Sequence, residues 1–375
     1  MTKQHRIITH TKRLQFILIS STLSILALSS LSVEVLAHET ANIETSSLQQ
    51  ANSAVSKAKA LNAQGKFKEA FALLDAAPKN KNTYAAMITN LANIDMDEAE
   101  ETADDAIKAF PNDAQLHYLR GVIMGNQAQS SIFSALGYAE KSLNSFIKAT
   151  ELDPEKIQYK KALMSFYLAA PSIAGGDKEL GLEQVEAIQQ LDAMEGASSR
   201  VAYYQMIDEP DKAIKGLQKA IIVYPNEINF VFRLAAFYAQ QEDYDKAMPL
   251  FQQAAKMPEP EYMLDELTGD AEISYLRNAS ARLNALYQVG RTAVVTEKDT
   301  NQGLAAMGEL QAAVEVSKLE ADNMPNMEWA KARIAELYLQ SGDKNTASNV
   351  LASIIIEDNK DLKKQVNKLR KTCKC

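Results

Sequence analysis

Between Met194 and Glu261 four positions return at one fixed interval. Tyr204, Ala213, Leu217 and Ala220 recur 34 residues later as Tyr238, Ala247, Phe251 and Ala254. Chance rarely holds one register at four sites, and a period of roughly 20–50 residues confines a chain to stacked supersecondary units. The residue types say which unit. Large side chains fill the space between two antiparallel helices, and alanine lets their backbones approach closely.

The second of these units reads Leu234, Ala235 and Tyr238, then Ala247, Phe251 and Ala254, with Pro258 and Pro260 behind it; Pro225 closes the unit before. In these residues the chain resembles the tetratricopeptide repeat family. The resemblance implies an all-α fold, a right-handed α-solenoid of tetratricopeptide-like helix pairs. It also implies a protein- or peptide-binding scaffold and no catalysis.

The rest of the chain follows that frame with departures. A first, short unit starts at Ala51 with Ala58, Leu61, Gly65, Phe67, Ala70 and Leu74 in register, and Pro78 ends it. The second keeps Ala99, Ala103, Ala106 and Pro111. There the spacing predicts a helix capped by Asp97 and answered by Glu100. The acidic run from Asp95 to Asp105 lacks calcium-loop spacing, because Ala99 and Glu100 stand where a ligand and a glycine are needed. It reads as a solvated helix face.

The third unit holds Gly121, Phe146, Ala149 and Leu152-Asp153-Pro154, with extra residues over 127–138. The fourth holds Leu163, Met164 and Tyr167, then departs through Pro171-Ser172-Ile173-Ala174-Gly175-Gly176 over 170–178. These paired insertions, with the Leu-Asp-Pro and Pro-Ser-Ile-Ala-Gly-Gly strings, resemble a subfamily of exported bacterial tetratricopeptide proteins. Loops inserted in adjacent repeats fall on one side, where binding sites collect, so Pro171, Gly175 and Gly176 are loop candidates. A tight inter-helix turn is the stronger reading of the two glycines. From Tyr262 to Asn323 the register blurs into one degraded repeat with a loop over 294–300. Ile334, Ala335, Tyr338, Gly342, Ala347 and Leu351 restore it, with Trp329 at the start. Asp361 to Lys371 then reads as a lysine-rich cap for an open solenoid end. The expected solenoid spans 51–371, about seven to eight helix pairs, and ends in a tail over 372–375.

Lys3, Arg6, Lys12 and Arg13 precede an uncharged run from Leu14 to Val33, and Val35-Leu36-Ala37 fits a signal-peptidase site. The expectation is a signal peptide over 1–37, cleavage after Ala37, a linker over 38–50 and a periplasmic protein. An uncleaved inner-membrane anchor is the alternative. Cleavage removes four basic side chains and Glu34, taking the formal net charge from −8 to −11. So acidic a chain lacks the basic footprint that nucleic acid needs. Cys373 and Cys375 are the only cysteines. They can bond to each other, pair with another chain or sit idle in an exposed tail, and two thiolates fall short of a zinc set.

Catalytic motifs are missing. His38 and His117 are the histidines left after cleavage, so a histidine-based triad has at most one interior base. The sequence contains no His-Glu-x-x-His pair, phosphate-binding loop or Gly-x-Ser-x-Gly elbow. The expectation is a protein with no cofactor, no metal and no enzymatic activity. A small-ligand carrier is the alternative function, and a carboxylate hydrolase a distant third.

In the family that the chain resembles, the first helix of each pair lines a concave face. That mapping selects Gln115, Tyr118 and Val122; Gln158, Lys161 and Ser165; Ser198, Ala202 and Gln205; and Asn229, Phe232, Ala236 and Ala239. Such a lining suits an extended peptide held by amides and aromatic contact. Aromatics at this spacing also serve cores, so Tyr118 and Phe232 stand equally as packing residues.

Overall fold

The computed structural model describes residues 45–131, 133–258, 270–317, 319, 323–357 and 359–375. Residues 1–44, with the expected signal peptide and most of the expected linker, lie outside them, as do Pro260 and Tyr262. Among the described residues every regular element is helical. The pairs run α1 (45–62) with α2 (Phe67–Asp75), α3 (Lys81–Leu91) with α4 (Met96–Ala109), and α5 (Ala114–Ser130) with α6 (Ala135–Leu152). Then come α7 (Ile157–Ala169), packed on α6, and α8 (Lys178–Leu191), packed on α9, followed by the pairs α9 (Ala193–Met206) with α10 (Pro210–Val223) and α11 (Ile228–Gln240) with α12 (Tyr244–Lys256). The last are α13 (Asp270–Thr296) with α14 (Thr300–Val316), α15 (Met327–Gln340) with α16 (Lys344–Ala352), and the closing α17 (Lys360–Cys373). The chain is an α-solenoid of antiparallel helix pairs. It divides after Asp177 into two compact units, α1–α7 and α8–α17.

The repeated tyrosine has a backbone role. In the turn between paired helices the carbonyls of Tyr204, Tyr238 and Tyr338 accept from the N–H groups of Glu209, Asp243 and Asp343 at 2.8, 2.9 and 2.9 Å. The residue before each of those donors, Asp208, Glu242 or Gly342, has a positive φ, the left-handed position that lets a helix end and the chain reverse. Leu61, Gly65 and Lys66 build the same turn in the first pair. Surface contacts repeat with it: Lys212 and Lys246, 34 residues apart in sequence, lie over the rings of Tyr204 and Tyr238 and pair with Glu209 and Asp243. The alanines of the pattern, Ala213, Ala247, Ala254 and Ala347, are completely buried between helices, as is Phe251.

Asp343 also caps α16. It accepts from the Thr346 hydroxyl at 2.6 Å and the Thr346 N–H at 3.0 Å, and these bonds hold its carboxyl below its ordinary value. A depressed carboxylate contributes stability that is complete above the unfolded value, about 3.9, and lost as pH falls through the lower folded one. Asp343→Ala is therefore expected to lower the melting temperature at neutral pH and to melt like wild type well below the carboxylate range. Thermal unfolding at both pH values checks this.

Several expectations need correction. Residues 45–50 are helical rather than linker, because α1 continues outward from Ala51, which is fully buried. The loop expected over 294–300 is shorter, confined to 297–299: α13 reaches Thr296, held by buried Ala293 and Val294 and by the Gln340 amide on the Val294 carbonyl at 2.9 Å, and α14 starts at Thr300. Helix α4 is capped by Asp95, whose carboxylate accepts from the N–H groups of Asp97 and Glu98. Asp97 instead accepts from Gln127 at 2.8 Å. The tail is not idle: Cys373 closes α17, is buried, and is bonded to Cys375.

Candidate functional site

Both insertions lie in the first unit and meet around one cavity. The residues over 127–138 lengthen a helix pair, giving α5 and α6 17 and 18 residues where α9 and α10 have 14 each. The long pair packs tightly because its contact residues are small. Ser142 donates to the Gly121 carbonyl at 2.7 Å, and a Cβ at Gly121 would lie 2.6 Å from the Phe146 ring. The second insertion is a short 3-10 turn, Ser172–Ala174, folded back on itself. Gly176 N–H donates to the Pro171 carbonyl at 3.0 Å and Asp177 N–H to the Tyr167 carbonyl at 2.9 Å.

The glycines serve this turn, as the stronger reading expects. Gly175 has φ +91° and lies against Leu143 of α6; a Cβ at Gly176 would overlap the Ala170 carbonyl.

Between α5, α6, α7 and this turn lies a cavity of about 670 Å³. Its walls are small or apolar: Gly121, Val122, Gly125 and Ala128 from α5, Ala135, Leu136, Ala139 and Phe146 from α6, Ala162, Phe166 and Ala169 from α7, then Ala170, Pro171 and Ala174. Asn126, Gln129, Ser142 and Ser165 supply the polar atoms, and no lining side chain carries a charge. Two large apolar residues stand in solvent beside lining positions: Phe133, two before Ala135, is 100% exposed and Ile173 80%. Leu136, in the lining itself, is 52% exposed. Isolated exposed apolar residues are ordinary; these three lie in or next to the two insertions in sequence.

Of the concave-face residues expected in this unit, Val122 and Ser165 line the cavity, as does the loop candidate Pro171. Tyr118 packs beside it, with its ring 5.2 Å from Tyr159 and 6.1 Å from Phe146. Burial pushes the Tyr159 phenol up, so it stays neutral. Gln115 and Gln158 are exposed and Lys161 half-buried, and none of the three lines the cavity. The pattern gave no sign of Phe133 or Ile173, because both fall inside inserted segments where the repeat register is lost.

The second unit gathers a different set. Arg233 donates to Ser198 Oγ at 2.9 Å and to Gln205 Oε1 at 3.2 Å, linking two expected concave positions. Burial and the Arg277 cation push its guanidinium down to about 10, and Glu195 opposes them. Arg277 of α13 reaches Glu195 at 2.7 Å and Glu227 at 3.2 Å. Burial would lower the Arg277 guanidinium, but these two carboxylates outweigh it and hold it above its ordinary value. Asn278 donates to Glu227 at 3.0 Å and accepts from the Asn229 N–H at 3.2 Å.

Phe232, Ala236 and Ala239 pack against the core, with the Phe232 ring 5.9 Å from Phe251. All three are half-buried, on a helix that packs against both α12 and α13. Ala202 is half-buried. The sequence mapping missed Arg233 by one position, and Arg277 lies where the register blurs.

His117 meets the Pro111 carbonyl at 2.9 Å on the surface. Among the described residues no group of three or more His, Cys, Asp or Glu side chains could hold a metal ion, and no helix is long and apolar enough to cross a membrane.

The tetratricopeptide repeat model matches residues 126–156 and 228–259. No curated protein matches the chain. Among solved structures it is similar to a thermophilic tetratricopeptide repeat protein of Thermus thermophilus, at 15% identity over 50% of this chain and 99% of that one, TM-score 0.41. A tetratricopeptide repeat protein of Parabacteroides merdae matches at 13% over 77% and 99%, TM-score 0.42. Yeast Tom70 matches at 15% over 83% of this chain and 59% of its own, TM-score 0.51, a likeness that speaks to the fold alone. The model falls on α5 and α6 and on α11 and α12, in the latter of which the 34-residue register is kept, and the helix pairs stack as that register requires, so the chain carries tetratricopeptide repeats.

Proposed function

We propose that this protein is a non-enzymatic scaffold of the bacterial cell envelope, delivered there by its N-terminal segment, and that it holds an extended apolar segment of a partner protein in the cavity of the first unit. One observation carries the reading: insertions in two adjacent repeats wall the same charge-free cavity, together with the concave-face residues Val122 and Ser165. A lining without charge disfavours a charged ligand, whose desolvation would go unrepaid. Asn126, Gln129 and Ser165 offer amide and hydroxyl partners to a peptide backbone, and Phe133, Leu136 and Ile173 extend the apolar contact to the mouth.

A photoreactive residue at Ile173 should crosslink one defined partner in intact cells, and the same residue at exposed Ile222 in the second unit should not. Ala169→Phe, which crowds the cavity from an exposed position, should remove the crosslink while leaving the melting temperature unchanged. Equal labelling from both positions, or a crosslink indifferent to Ala169→Phe, would sink the assignment. Recovery of the protein in the cytosolic fraction would sink the envelope part.

The cavity's size supports a second reading, since about 300–1,000 Å³ is usual for small-molecule pockets. A carrier would retain a compound in native mass spectrometry, and Ala169→Phe would release it.

A further inference from the structure

The last helix presents two unlike faces. Leu362, Val366, Leu369 and Cys373 of α17 are buried in the core shared with α15 and α16. Lys360, Lys363, Lys364, Lys368 and Lys371 are all exposed, and with Trp329 they line an open depression of about 770 Å³. The ion pairs beside them, Lys331 with Glu328 and Arg333 with Glu336, belong to α15. Asp361 is the one acid in the lining of the depression. Five cations are thus gathered on one face of a chain whose formal net charge is −8.

From Lys360 to Lys371 the helix rises about 17 Å, at roughly 1.5 Å per residue. A single phosphate or carboxylate cannot reach charges spread that far, so the complement is a spread of anions. Lysines suit such a spread, being compact, hydrated point charges on flexible stems rather than planar forks that read one oxyanion. The apolar side of α17 is already buried, so the helix cannot insert; it can only lie against a surface. A second copy of this chain is a poor partner. Three of the seven acids in its densest acidic run, over 95–105, are already held by its own cations: Glu100 with Lys141, Asp104 with Arg120 and Asp105 with Lys108. A flat bilayer meets one face and leaves the acidic remainder in solvent, whereas a polyanion that wraps would meet both.

We infer that the lysine face of α17 docks the protein on an anionic phospholipid surface. Each lysine near such a surface contributes about 1 kcal/mol, which is roughly fivefold in partitioning. Purified full-length protein should therefore cosediment at least tenfold better with phosphatidylcholine vesicles containing roughly one-third phosphatidylglycerol than with phosphatidylcholine alone. The difference should disappear between about 50 and 500 mM salt, where screening becomes short-ranged.

The Lys363→Gln, Lys364→Gln, Lys368→Gln triple variant should lose the preference by at least tenfold, and the matching Arg triple should keep it. All forms carry the same N-terminal segment, so any contribution from it cancels in the comparison. The positions are exposed, so unchanged melting temperatures confirm the fold. Equal binding to neutral vesicles, or a Gln triple that binds as wild type does, overturns the inference. So does finding that the Gln triple removes salt-sensitive self-association or nucleic-acid binding and leaves vesicle binding intact.

Discussion

Arg277→Met is expected to cost about 3–5 kcal/mol of stability, the usual penalty for breaking a buried ion pair from one side. Arg277 serves two acids at once. Glu195 and Glu227 keep 15% and 8% of their side-chain exposure, so neither can recover its partner from water. The penalty belongs mainly to the abandoned carboxylates, which gives the test its sharpness. Adding Glu227→Gln to Arg277→Met should restore a substantial part of the loss, because the amide can still accept from Asn278 and carries no charge to strand. Chemical denaturation of the two single variants and the double one measures the coupling directly. Strict additivity would show that Arg277 and Glu227 are not coupled. The local consequence is equally specific: Asn278 holds both Glu227 and the Asn229 N–H, so loosening the cluster should free the start of α11.

Gly176→Ala should have the second largest effect, about 2–3 kcal/mol, as an overpacking change that no rotamer can relieve. The new Cβ would overlap the Ala170 carbonyl, which is backbone, so the turn itself must move. Moving it strains the two bonds that fold it back, from Gly176 to Pro171 and from Asp177 to Tyr167. Amide hydrogen exchange should accelerate at Gly175, Gly176 and Asp177 while α3 and α4 keep their protection. Unchanged exchange at those three amides would show that the turn tolerates a side chain. Pro171 and Ala174 line the cavity, so the same substitution should weaken whatever occupies it.

The repeat was legible because its marks are local and doubled. Ala213 and Ala247 announce a close helix approach, and Tyr204 and Tyr238 sit where the chain must turn, so a 34-residue offset betrays both. The insertions were legible as interruptions falling on one side, where a site would collect, but the contacts that shape the cavity were not. Its shape depends on Ser142 reaching Gly121 and on the turn after α7 doubling back onto α6, contacts made across tens of residues. Of the concave mapping, Val122 and Ser165 lie on helices that line the cavity. Phe232 packs beside Phe251 on the core that α11 shares with α12 and α13, and α13 lies where the sequence register blurs. Arg233 escaped the mapping. A charged residue one step off the chosen positions looks like surface until its neighbours are known.

The Cys373–Cys375 bond has a practical consequence. No other cysteine exists in the sequence, so under non-reducing conditions the native protein offers nothing for a maleimide to attack. A single thiol engineered at Phe133 or Ile173 would then be the sole labelling point, and one fluorophore there would report arrival of an occupant without background from the rest of the molecule.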